Sequence, residues 1–139
     1  MPADAITNPK KGISARLACQ STVTVNKLSP APDRLPAFVH ATATLRNTTH
    51  SNFNLQAPTP CDVNFWELYD DSGRLIQTEL HAVCPQHAVN ALLPAGESLR
   101  TDNSIALNGR LLLNREKYTI RYKFGGYYSE ATFTAECLE

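Results

Sequence analysis

The chain has 139 residues, enough for one domain with a real hydrophobic core. Apolar residues make up 42% and charged ones 19%, which excludes a disordered or fibrous chain. Lys plus Arg total 13 and Asp plus Glu total 13, so the formal net charge is zero. That balance argues against nucleic acid or an anionic membrane surface as the main partner, and no run approaches the ~20 apolar residues of a membrane span.

Residues 1–12 read as a flexible, polar N-terminal segment with no apolar signal-peptide core. A cytoplasmic start and a mature start freed of its signal both fit. Residues 13–137 read as a single domain, and Leu138-Glu139 as an expression remnant. Residues 15–26 alternate, with Leu17, Cys19, Val23 and Val25 on one face, and residues 37–46 place Val39, Ala41, Ala43 and Leu45 against His40, Thr42, Thr44 and Arg46. Both runs are rich in β-branched residues, as half-buried strands are. Residues 47–60 form a polar loop. Residues 63–69, with the single tryptophan Trp66, are apolar on both faces and predict a central strand. Asp70-Asp71-Ser72-Gly73 is a turn, since Asp and Ser bond their own backbone and Gly accepts positive φ. Residues 74–80 return as a strand.

Residues 89–93 and 110–113 are ambiguous between strand and a short helical turn. Between them, Pro94-Ala95-Gly96-Glu97 is a turn and residues 98–107 a strand. The clearest hairpin is the last: Tyr118, Ile120, Tyr122 and Phe124 share one face, and Gly125-Gly126 supplies a type I′ turn. Pairing Phe124 with Tyr127 sets Ile120 opposite Ala131 and Tyr118 opposite Phe133, so register and patterning agree. The whole predicts an all-β fold, an antiparallel immunoglobulin-like β-sandwich of about seven strands. Leu113 followed by Tyr118 has the spacing of a tyrosine corner, and Trp66 fits the core tryptophan of such sandwiches.

The four cysteines, Cys19, Cys61, Cys84 and Cys137, suggest two disulfides and an extracytoplasmic (periplasmic or secreted) compartment. Cys61 and Cys84 flank the hairpin centred on Asp71-Ser72, and Cys19 and Cys137 lie on inward faces of the first and last strands. The expected bridges are Cys61–Cys84 and Cys19–Cys137, the second stabilising by about 4–5 kcal/mol in the chain-entropy model. The competing reading makes Cys61, His81, Cys84 and His87 a Cys₂His₂ set for zinc or copper, in a metal-binding or redox accessory protein. His40 and His50 read as solvated.

Signatures of catalysis are missing: there is no Gly-x-Ser-x-Gly elbow, P-loop or dinucleotide fingerprint. The carboxylates Asp62, Glu67, Asp70, Asp71 and Glu79 gather near the third-strand hairpin. Acid–base work or Ca²⁺ binding there competes with a solvated hairpin tip, which explains them with less. Asn47-Thr48-Thr49 is a formal glycosylation sequon. Two segments suit a protein partner. Phe124-Gly125-Gly126-Tyr127-Tyr128 offers tyrosines beside a flexible turn, and residues 29–36, with Arg34 and Leu35, are held extended by proline. The expectation is a non-enzymatic protein-binding module without cofactor.

Leu45-Arg46-Asn47-Thr48, the run from Asp62 through Trp66 to Gly73, Leu93-Pro94-Ala95-Gly96-Glu97-Ser98-Leu99 and Tyr118-Thr119-Ile120 together resemble the intracellular proteinase inhibitor (BsuPI-like) family. The resemblance covers roughly residues 37–124. It implies an immunoglobulin-like sandwich and proteinase inhibition, for which Arg34-Leu35-Pro36 offers a cleavage-resistant bond. The chain differs from that family in its four cysteines and in the His81-Ala82-Val83-Cys84-Pro85 run after the hairpin.

Overall fold

The computed structural model describes residues 12–28, 36–57, 64–79 and 89–138. Ten strands occupy them: β1 Ile13–Cys19, β2 Thr22–Asn26, β3 Pro36–Asn47, β4 Phe53–Ala57, β5 Asn64–Asp70, β6 Leu75–Thr78, β7 Val89–Leu93, β8 Ser98–Asn108, β9 Lys117–Phe124 and β10 Tyr127–Leu138. Three form one sheet in the order β1-β3-β8, five form the facing sheet in the order β2-β10-β9-β5-β6, and β4 with β7 make a separate pair. This is the all-β immunoglobulin-like sandwich, with three strands more than expected.

Alternating side chains from the two sheets meet in one interior. Leu17, Val39, Ala41, Ala43, Ile105 and Leu107 come from the first sheet; Val23, Val25, Trp66, Leu68, Ile120, Tyr122, Phe133 and Ala135 come from the second. A satellite core of Ile13, Leu45, Leu55, Leu93 and Tyr127 sits where β4 and β7 close one end. Each buried Leu, Ile or Phe is worth about 1.5–3 kcal/mol, so the two clusters carry the fold.

Two strands replace the single expected one over residues 15–26. The chain leaves the first sheet at Gln20-Ser21 and crosses to the second, where β2 runs parallel to β10, an exception to the antiparallel pattern. Alternation continues through the crossing because Leu17 and Cys19 face the interior from one layer and Val23 and Val25 from the other. Gln20 makes the crossing tolerable. Its side-chain amide donates to Phe38 O (3.0 Å) and accepts from His40 N (2.9 Å), replacing the strand partner that β3 would otherwise lack.

The segment expected to be all loop, residues 47–60, holds β4; residues 89–93 are the strand β7. Residues 109–111 form a single 3₁₀ turn, capped by Asn108 Oδ1 accepting from Arg110 N at 3.1 Å. The final hairpin has the expected register, Tyr127↔Phe124, Ala131↔Ile120 and Phe133↔Tyr118, around Gly125 and Gly126 at φ +59° and +89°. Tyr118 OH accepts from Leu113 N at 2.7 Å, which is the tyrosine corner.

Candidate interaction surface

One end of the sandwich collects the finishing ends of β2, β5, β8 and β10 and the starts of β3, β6 and β9, as the strand pairings require. Seven large apolar side chains are exposed among the described residues, and six belong to this end: Leu28, Phe38, Leu75, Leu111, Leu113 and Leu138. Leu92, on β7, is the exception. Apolar exposure by itself is ordinary; Leu111 and Leu113 are the two of these that line a common groove.

Two built walls frame a groove of about 430 Å³ there, with Ile76 and Tyr118 among its lining. The first wall is the β5–β6 turn. Asp70 Oδ1 accepts from Ser72 N (3.0 Å), Ser72 Oγ (2.7 Å) and Arg74 N (2.9 Å), while Oδ2 lies 3.3 Å from Arg74 Nε. These bonds, from the Arg74 backbone first, hold the Asp70 carboxyl below the usual carboxylate range. The second wall is the link from β8 to β9. Leu112 is fully buried and anchors it, so that its neighbours Leu111 and Leu113 point outward at 42% and 60% exposure. Tyr118 grips Leu113 N, while Arg115 N donates to Ala135 O (2.8 Å) and Ala135 N to Glu116 O (3.0 Å). Both walls are preformed, which lowers the ordering cost of binding.

At the aromatic-glycine tip the aromatic side chains are less exposed than the sequence suggests. Tyr127 is 2% exposed and sits in the satellite core, edge-on to Phe53 with centroids 6.5 Å apart. Phe124 packs against both cores. Tyr128 lies beneath the Arg121 guanidinium (4.4 Å) and the Lys123 ammonium (5.6 Å). The β4–β7 pair supplies Phe53, Leu55 and Leu93 to this end, so the aromatics there fold inward.

The cysteine expectations divide. Cys61 and Cys84, with His81 and His87, lie outside the described residues, as do Arg34 and Leu35. Cys19 and Cys137 are described, and the expected bridge between them is not formed. The Cys19 thiol points to Thr132 O and that of Cys137 to Leu112 O, each at 3.6 Å. Thr132 and Cys137 are separated by five steps of β10, about 17 Å of extended strand, against the ~7 Å Cα separation a disulfide tolerates. Burial also pushes the Cys19 thiol's pKa up.

Remaining polar groups serve the fold. Asn47 is fully buried: Nδ2 donates to Ser51 O (2.7 Å) and Leu93 O (3.0 Å), and Oδ1 accepts from Thr49 N and Thr49 Oγ1. The sequon nitrogen is therefore fully engaged. Asn103 Nδ2 donates to Tyr122 OH (2.7 Å), which donates to Asn64 Oδ1 (2.9 Å), a polar chain across the interior. Desolvation, with the Glu79 charge adding to it, pushes the Tyr122 phenol up to about 12. His40 and His50 are exposed, as expected. Among the described residues no three His, Cys, Asp or Glu side chains gather as metal ligands would. No described helix is long and apolar enough to cross a membrane.

No family model and no curated protein matches the chain. Solved structures similar in shape include a β-glucuronidase of Bacteroides uniformis, at TM-score 0.43 and 14% identity over 85% of this chain. Another is a β-glucuronidase from glycoside hydrolase family 2, at TM-score 0.44 and 11% identity over 79% of this chain. The matched parts are 12% and 10% of those chains, so this chain spans about a tenth of their length.

Proposed function

We propose that this chain is a non-catalytic protein-binding module that engages its partner through the apolar end. The observation that carries the reading is the pair of exposed leucines, Leu111 and Leu113, lining a groove with two braced walls. A photo-crosslinking residue in place of Leu113 is expected to capture a partner in the producing cell, and excess unlabelled protein to compete it away. The same residue in place of Leu92 is expected to capture nothing. Equal capture at both positions, or none at Leu113, overturns the reading.

Proteinase inhibition is the more specific form of the same reading. What supports it is that Leu28 and Pro36, the described residues on either side of the proline-rich segment, both lie at the apolar end. A panel of serine and cysteine proteases assayed with excess protein tests it, and no inhibition of any member ends it. An extracytoplasmic location with a Cys61–Cys84 disulfide completes the proposal. Intact mass is expected to rise on reduction by the equivalent of one disulfide.

A further inference from the structure

We infer that the outer edge of β8 docks a second copy of this chain, the two β8 strands pairing antiparallel across a two-fold axis at Thr101. That edge is a different surface from the groove described above, so the inference goes beyond the reading given to the groove.

Main-chain direction is the first argument. Among the described residues β8 is the outermost strand of its sheet, and its register with β3 runs unbroken from Ser98 to Asn108. Gln20 bonds Phe38 O and His40 N, so these residues of β3 turn their main-chain groups toward β1. Alternate residues of an antiparallel strand face opposite neighbours, so Val39, Ala41, Ala43 and Leu45 serve β8. Their partners Ile105, Asn103, Thr101 and Leu99 are thereby taken up. Ser98, Arg100, Asp102 and Ser104 then turn N–H and C=O away from β3. At the far end of this outward row, Asn108 N donates to Gln77 Oε1 at 3.0 Å, which places the four-residue β6 beside that end. The usual guards of a sheet edge are missing: β8 holds no proline and no lysine, and its pairing with β3 has no bulge. Charge selects the occupant. Arg100 and Asp102 share the exposed face, their side chains 66% and 67% exposed and 3.3 Å apart. An axis at Thr101 sets Arg100 of each copy opposite Asp102 of the other, and Ser98 opposite Ser104, as an isologous contact requires. The neighbouring registers that still pair the outward groups set Arg100 against Arg100 or Asp102 against Asp102, which like-charge repulsion opposes.

Sedimentation velocity of the whole chain over a concentration series tests this. A reversible monomer–dimer equilibrium is expected. Arg100→Asp and Asp102→Arg are each expected to weaken it about tenfold, since each sets like charges opposite across the axis. Mixing the two single variants is expected to restore a dimer with one copy of each, because the copy with two acids then meets the copy with two bases. Ser104→Pro removes an outward N–H and no bond to β3, and is expected to weaken association as well. Thermal unfolding of each variant alone confirms that the fold is intact. Leu113→Asp, in the groove, is expected to leave the dimer unchanged. A monomer at every concentration, a dimer indifferent to both charge variants, or a mixture that stays monomeric overturns the inference. A dimer abolished by Leu113→Asp overturns it too, since the copies then meet through the groove. Capture at position 113 reports on the groove separately, so either reading can fail without the other.

Discussion

Three tyrosines of the interior face three different hydrogen-bond situations, and each predicts a different response to losing its hydroxyl. Tyr118 OH is the acceptor for Leu113 N, so Tyr118→Phe is expected to cost about 1–2 kcal/mol and to loosen the leucine ridge. Tyr122 OH links Asn103 to Asn64, and Tyr122→Phe is expected to cost about 1–3 kcal/mol because Asn64 Oδ1 loses its donor. Tyr127 OH is buried with no hydrogen-bond partner among the described residues, so Tyr127→Phe is expected to be neutral or stabilising by up to about 1 kcal/mol. Urea denaturation of the three variants checks order and sign together. Asn47 is the counterpart on the amide side. Asn47→Ala removes the acceptor of Thr49 N and the donor to Leu93 O, and is expected to cost about 2–4 kcal/mol. Natively folded protein recovered from a glycosylating host is expected to carry no glycan at Asn47, which intact mass reports. None of these roles is legible in the residue names: Asn47-Thr48-Thr49 shows a sequon, and only the contact with Leu93, 46 residues away, shows a hub.

At the scale of elements, legibility follows how local the determining interactions are. The β9–β10 hairpin could be read pair by pair because its two-glycine turn and its alternation are short-range and consistent. The split of residues 15–26 into β1 and β2 could not, since alternation runs unbroken through the crossing and only Gln20's bonds to β3 reveal it. The same limit applies at the aromatic-glycine tip, where the sequence suggests an exposed Tyr127 and the fold buries it. Tyr127 is buried because β4 and β7 cover it; β4 reads as loop in the sequence and β7 is ambiguous between strand and helical turn. The leucine ridge did carry a signal, in that strand alternation cannot bury three consecutive leucines at residues 111–113. The hairpin turn offers a direct test. A Cβ on Gly125 would lie 3.0 Å from Leu45 Cδ1 and 3.4 Å from Leu55 Cδ1, on a backbone at φ +59°. Gly125→Ala is therefore expected to destabilise by about 1–2 kcal/mol, seen as a lower urea midpoint at unchanged slope.

The molecule as a whole is poised against alkali. The Tyr122 phenol sits near 12, and Tyr69, Tyr118 and Tyr127 are all raised by burial. A phenol raised in the folded state contributes its stability fully below its unfolded value near pH 10, and loses it as pH climbs through the folded value. For Tyr122 the loss amounts to roughly 2–3 kcal/mol between about pH 10 and 12. Stability measured across that window is expected to fall, and Tyr122→Phe to flatten the fall.

The crossing at Gln20 also bears on how the sandwich would carry tension. Ile13 lies at the end marked by Asn47, Leu138 lies at the opposite end, and between them β2 runs parallel to β10. A pull applied through the two outermost strands is thus directed along their length. The β2–β10 bonds are then loaded simultaneously in shear instead of unzipping singly.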